Sequence, residues 1–161
     1  MRKSSEVLKP EVLNSGLQNF RSSELSSAAF GFDIVINNAG YGGVFGPLAR
    51  GDFAPWQRQI DAMLATTARL THTALRGMLA CNRGCIVNVS SLVVNFPLPY
   101  MSAYNTAKAG LSALSESLIF ETRGTGVTII DFRPGDYRTD FNNAIKSGSG
   151  VPPLSEKPPR T

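Results

Sequence analysis

The sequence predicts an α/β fold in which a parallel sheet of three strands is joined by two long crossover helices. Three short β-branched segments alternate along the chain with two longer segments whose apolar residues recur every three or four positions. Strands that alternate with helices of this length run parallel and are connected by right-handed crossovers. The 161 residues, 42% of them hydrophobic, suffice for one domain with a buried core.

The three strand segments are rich in Val and Ile, and each is followed by turn-forming residues. Short apolar, β-branched runs bounded by turns are typical of buried strands. We therefore expect strands over residues 33–37, 85–90 and 127–132.

The two helical segments are amphipathic. In residues 53–80, Asp52 can cap the first turn, and Asn82 and Gly84 help to end the helix. Its apolar stripe consists of Trp56, Ile60, Met63, Leu64, Ala68, Thr71, Leu75 and Met78. The second helix covers residues 104–123, and its stripe consists of Ala107, Leu111, Leu114 and Leu118.

The ends of the chain differ from this central part, which spans residues 31–145. Residues 1–30 contain seven serines and no strand pattern, and they predict only a short helix over residues 22–30. Residues 146–161 are rich in Pro, Ser, Gly and charge, which predicts a disordered tail.

Composition excludes several classes of protein. No apolar run approaches the roughly 18 residues of a membrane-spanning helix. One histidine, His72, and two cysteines, Cys81 and Cys85, do not make a zinc site, so we expect no metal.

The net charge of +4 is spread along the chain, which argues against nucleic-acid binding. The N-terminus lacks the apolar core of a signal peptide, so the expected location is cytoplasmic.

The carboxyl ends of parallel strands form the ligand site of such sheets. Tyr104 and Lys108 fall at this edge, four residues apart and therefore on one face of the second helix. A neighbouring ammonium and a helix N-terminus both lower the pKa of a phenol from about 10, so Tyr104 can act as an acid or base. Ser91, at the end of the second strand, can donate to a carbonyl oxygen. Taken singly, each of these residues is as consistent with an ordinary cap or turn.

The order and spacing of five features resemble the short-chain dehydrogenase/reductase family. They are Asn37-Asn38-Ala39-Gly40 after one strand, Ser90-Ser91 after the next, Tyr104 and Lys108 thirteen and seventeen residues beyond Ser91, and Pro134-Gly135 followed by Thr139 after the third. The resemblance covers residues 29–143 and implies the middle of a Rossmann-like, doubly wound parallel sheet.

The resemblance also implies a chemistry, namely NAD(P)-dependent hydride transfer between a small-molecule alcohol and a carbonyl. Tyr104 would be the general acid or base, Ser91 would orient the substrate oxygen, and Lys108 would hold the nicotinamide ribose. Asn37, Ala39 and Gly40 would line the middle of the NAD or NADP, and Pro134, Gly135 and Thr139 its carboxamide end.

Three departures from the family pattern qualify this expectation. Met63 stands where relatives carry an asparagine that holds a water of the proton relay, and a thioether cannot replace that amide. No glycine-rich pyrophosphate turn occurs, so about three strands of the family's sheet are missing and the first strand is left with an open edge. The chain also ends soon after Thr139. We therefore expect weak or undetectable binding of NAD or NADP by this chain in isolation.

Two functions remain open from the sequence. One is an oxidoreductase with Ser91, Tyr104 and Lys108 at its centre. The alternative is a non-catalytic fragment or interaction protein that lacks the cofactor loop. In either case the resemblance implies a homo-oligomer that forms through helices 53–80 and 104–123.

Overall fold

A computed structural model describes residues 32–43 and 45–136 of the chain. The predicted α/β fold is confirmed, because three parallel strands alternate with long helices. The expectations for residues 1–30, for Thr139 and for the tail 146–161 lie outside the described residues.

The sheet consists of β1 (Ile34–Asn37), β2 (Gly84–Val89) and β3 (Val127–Phe132), with β2 in the centre. Both pairings are parallel, and Asn37, Asn88 and Asp131 lie side by side in register. Within the described part of the chain, β1 pairs only with β2. The strand bounds differ from the predicted ones by one residue at most.

The predicted helix over residues 53–80 is one helical segment with an interruption. It comprises α1 (Phe53–Ile60), a π-helical turn (Asp61–Ala65) and α2 (Thr66–Ala80). The carboxylate of Asp52 caps α1 by accepting a hydrogen bond from the backbone N–H of Ala54 at 3.1 Å.

The turn between α2 and β2 depends on a glycine. Gly84 has a φ of 147°, and a Cβ there would lie 2.4 Å from Cγ of Met78. Only glycine therefore fits between the end of α2 and the start of β2.

The second long helix, α3 (Ser102–Glu121), begins two residues earlier than predicted. Ala107, Leu111 and Leu118 of its predicted stripe are buried. The core lies between the sheet and the helices and consists of Ala74, Met78, Ile86, Leu118, Val127 and Ile129.

The opposite face of the sheet is open in the described structure. Ile34 and Ile36 are 62% and 63% exposed, and Ile130 and Phe132 are also exposed. The expectation of buried strands thus holds for one face only, because α2 and α3 both pack on the same side.

Candidate active site

A cavity of about 1000 Å³ opens at the carboxyl ends of the three strands, on the open side of the sheet. Its walls are mostly apolar, with Val87 and Val89 of β2 and Phe132 of β3 at its floor. Ser91, Tyr104 and Lys108 also line it, so the three side chains predicted to carry the chemistry share one cavity.

Ser91 reaches the cavity because side chains alternate along an extended chain. Val87, Val89 and Ser91 face one way, whereas the alternate residues Ile86 and Asn88 are buried on the other side. The hydroxyl of Ser91 accepts a hydrogen bond from the N–H of Val93 at 3.3 Å and so caps a 3₁₀ turn (Leu92–Val94).

Tyr104 and Lys108 lie in the first two turns of α3, and Nζ of Lys108 is 5.9 Å from the centroid of the Tyr104 ring. The spacing of four residues puts both on the same helical face, as predicted. The ammonium of Lys108 donates a hydrogen bond to the carbonyl oxygen of Val89 at 2.6 Å. Lys108 is only 4% exposed, and burial lowers its pKa from 10.5 to about 8.

Met63 lies in the π-helical turn beside this lysine. A Cβ placed on Gly40 would be 3.4 Å from Cε of Met63 and 3.6 Å from Nζ of Lys108. Met63 is itself 1% exposed, so a buried thioether side chain and the ammonium both approach the Gly40 turn. A thioether is only a weak hydrogen-bond acceptor.

The side chains at the end of β1 and in the turn that follows lie on two sides of the sheet. Asn38 and Gly40 line the cavity, and Ala39 is exposed in the same turn. The amide of Asn37 points away from the cavity and donates to Oγ1 of Thr71 at 3.0 Å and to Oδ1 of Asn88 at 2.8 Å. Asn88 in turn donates to Oγ of Ser115 at 2.9 Å. Asn37 therefore links the end of β1 to α2 and α3 through a buried network of hydrogen bonds.

The segment after β3 supplies Pro134 and Gly135 to the cavity. The carbonyl oxygen of Pro134 accepts a hydrogen bond from the N–H of Leu92 at 2.9 Å, which holds the segments after β2 and β3 together. A Cβ on Gly135 would have Leu92 Cδ2 at 4.0 Å as its nearest neighbour, so the space in front of it is open.

Sequence reasoning missed a charged cluster around Asp131 at the same sheet edge. The carboxylate accepts hydrogen bonds from Ser112 at 2.6 Å and from Nε of Arg133 at 2.7 Å, and a further one from Ser90. Burial raises the pKa of Asp131, but these hydrogen bonds and the arginine charge outweigh it and leave the pKa below its usual value. The sequence feature that could have indicated this cluster is an aspartate inside a mostly apolar strand.

Two other features are absent from residues 32–43 and 45–136. These residues contain no cluster of three or more His, Cys, Asp or Glu that could hold a metal ion. Of the helices that the structure describes, none has the length and apolar character needed to cross a membrane.

Comparison with known proteins decides the family. The sequence profile of the short chain dehydrogenases matches residues 22–150. The chain belongs to this family. A dehydrogenase/reductase SDR family member 4 from Bos taurus is 32% identical over 115 residues, which are 71% of this chain and 41% of that protein. Glucose 1-dehydrogenase 2 from Bacillus subtilis is 30% identical over 111 residues, 68% of this chain and 43% of that protein.

Solved structures of short-chain dehydrogenases agree with this assignment. The closed form of serine dehydrogenase complexed with NADP+ superimposes with a TM-score of 0.70 at 26% identity, covering 80% of this chain and 55% of that one. The chain thus spans about half the length of the short-chain dehydrogenases that it matches.

Proposed function

We propose that the cavity is the active centre of an NAD(P)-dependent oxidoreductase that transfers hydride between a small alcohol and a carbonyl compound. The observation that carries the proposal is that Ser91, Tyr104 and Lys108 line one cavity in a chain of the short-chain dehydrogenase family. A hydroxyl, a phenol and an ammonium at one point are suited to polarising and protonating a carbonyl oxygen.

Each of the three side chains has a separate task in this proposal. The hydroxyl of Ser91 donates to the substrate oxygen and orients it. The phenol of Tyr104 gives its proton to that oxygen in the reduction and takes it back in the oxidation. The ammonium of Lys108, fixed by the Val89 carbonyl, keeps a positive charge beside the phenol and would hold the nicotinamide ribose.

The residues around the cavity fit the nicotinamide half of the cofactor. Gly135 leaves the space in front of its Cα free, and Gly40 lets the backbone of its turn face the cavity without a side chain, and a flat ring needs such close access to backbone. The cofactor, when bound, supplies or accepts the hydride. The side chains and turns that we propose to hold it are Ala39, Gly40, Tyr104, Lys108, Pro134, Gly135 and Thr139, and Asn37 positions this turn from the other side of the sheet.

Binding of NAD or NADP to this chain alone is proposed to be weak. Helix N-termini with glycine-rich turns provide much of the affinity for a pyrophosphate, and no such turn is found in the sequence. We further propose a cytoplasmic protein that forms a homo-oligomer through helices 53–80 and 104–123. Ile119 and Phe120 at the end of α3 are exposed, as an oligomer interface on that helix would require.

The function is tested by saturation-transfer NMR of the full chain with millimolar nicotinamide mononucleotide, which carries only the half of the cofactor that the cavity fits. Saturation is expected to pass to the nicotinamide ring protons and to disappear in Lys108→Met. The matched control is Arg50→Met, which removes an exposed cation outside the cavity and outside both long helices and should leave the signal unchanged. No transfer in the wild type, or equal transfer in Lys108→Met, would contradict the proposal and favour the non-catalytic alternative.

A further inference from the structure

The surroundings of the Lys108 amine are unusual for a lysine. The side chain is 4% exposed, and among residues 32–43 and 45–136 no carboxylate forms an ion pair with it. Within the same residues, the hydrogen-bond acceptor of the amine is the carbonyl oxygen of Val89. Burial without a counter-charge disfavours the ammonium, so a larger fraction of the amine is neutral than in an exposed lysine.

Among the described residues, the groups placed near the amine carry no opposite charge. They are Gly40 in the turn after β1 and the carbonyl of Val89 in β2. The titratable groups that share the cavity are Tyr104 and Asp136. Consistent with this setting, burial lowers the pKa of Lys108 to about 8.

The cavity offers the amine a reaction partner of defined chemistry. Its walls include Val87, Val89, Leu92, Phe96 and Phe132, which favour an apolar molecule. A Cβ at position 40 would lie 3.6 Å from Nζ. Because residue 40 is glycine, that space beside the nitrogen is free for a ligand. A neutral amine in an apolar cavity with a phenol nearby is the arrangement that imine formation needs.

We propose that Lys108 captures small apolar aldehydes in this cavity as a reversible Schiff base, an activity separate from hydride transfer. The nitrogen lone pair attacks the aldehyde carbon, a C–N bond forms, and the carbonyl oxygen takes a proton from the Tyr104 phenol. The resulting carbinolamine breaks its C–O bond and releases water, while the nitrogen loses its protons to the phenolate and the departing oxygen. The sum is amine plus aldehyde giving imine plus water, so no oxidant or reductant takes part. The imine is neutral, so its formation also removes the buried charge that the ammonium form of Lys108 carries.

The test is pulse labelling of the full chain with hexanal at pH 7.5, quenched with sodium borohydride and read by peptide mass mapping. The four other lysines, Lys3, Lys9, Lys146 and Lys157, are the internal reference. Near pH 7.5 about a quarter of the amines with a pKa of about 8 are neutral, against about one in a thousand with an ordinary pKa. We expect Lys108 to be labelled at least about tenfold faster than the reference lysines, and this preference to vanish in 6 M guanidinium chloride. Equal labelling of Lys108 and the reference lysines in the native chain overturns the proposal.

Two variants separate capture in the cavity from general lysine reactivity. Gly40→Ala adds a methyl group at ordinary contact distance from both Met63 and Nζ, so it should slow labelling of Lys108 several-fold and leave the reference lysines unchanged. Met63→Asn replaces the buried thioether that approaches the Gly40 turn by an amide acceptor, which should shift the labelling profile to higher pH, whereas Met63→Leu should not. Labelling of Lys108 that is unaffected by Gly40→Ala and Met63→Asn contradicts the proposal. The readout is a covalent mass and needs no cofactor. A negative result would therefore contradict the Schiff-base proposal without contradicting the proposed oxidoreductase function.

Discussion

Nζ of Lys108 lies 2.6 Å from the carbonyl oxygen of Val89, so a cation on α3 is tied to the backbone at the end of the central strand. This bond joins α3, which carries Tyr104, to the end of the strand that leads into Ser91. It fixes the charge at the cavity wall, but it does not restore the hydration that the ammonium loses on burial.

Lys108→Met is expected to stabilise the fold at neutral pH. The lowered pKa of Lys108 means that the unfolded state binds more protons than the folded state between about pH 8 and 10.5. The cost of burying the ammonium is therefore fully present below pH 8 and is relieved as the pH rises towards 10.5. We expect the free energy of unfolding to increase by about 1–2 kcal/mol at pH 7, after allowing for the lost hydrogen bond.

Urea unfolding of both proteins from pH 7 to pH 10.5 measures this effect. The advantage of Lys108→Met should shrink steadily across the upper part of that range. An advantage that is independent of pH, or a variant that is less stable than the wild type at pH 7, would show that the ammonium is not penalised by burial.

Asn88→Ala is expected to destabilise the fold by about 2–3 kcal/mol, because it removes the centre of a buried polar network. Asn88 is 0% exposed, accepts from Asn37 and Thr71, and donates to Ser115. The matched control is Asn95→Ala at an exposed position, for which we expect a change within about 0.5 kcal/mol. Chemical unfolding measures both, and a loss at position 88 as small as at position 95 would refute a structural role for the network.

Asp131→Asn is expected to lose stability at neutral pH and to match the wild type in acid. The folded state lowers the pKa of Asp131, so its contribution is present above the ordinary pKa and lost as the pH falls through the folded value. With a side chain that is 7% exposed and bonded to Ser90, Ser112 and Arg133, we expect a loss of about 1–3 kcal/mol at pH 7.

The control for Asp131 is Asp33→Asn, which breaks the exposed ion pair with Arg83. Exposed pairs contribute little, so we expect a change below about 0.5 kcal/mol. Thermal unfolding at pH 7 and at pH 3 compares the two variants. A difference between Asp131→Asn and the wild type that is as large at pH 3 as at pH 7 would contradict the account.

The alternation of strand and helix patterns was sufficient to predict the sheet, both crossover helices and the edge where Ser91, Tyr104 and Lys108 meet. Side chains also alternate within a strand, so Asn37 faces the opposite side of the sheet from Ile36 and Asn38. The Asp131 cluster was not predictable, because it joins Ser90, Ser112 and Arg133 through register and helix rotation. The open face at Ile34 and Ile130 escaped prediction for a similar reason, since a strand's composition does not say which elements pack on it.

The central claim is tested most directly by the rate at which millimolar NADH or NADPH is oxidised in the presence of cyclohexanone or acetophenone. The full chain is compared with Tyr104→Phe, which keeps the ring and removes the only proton that the phenol can transfer. The account predicts a rate that rises linearly with cofactor concentration, because binding is weak, and that falls at least about a hundredfold in Tyr104→Phe. Equal rates in the two proteins, whether measurable or at background, would contradict it.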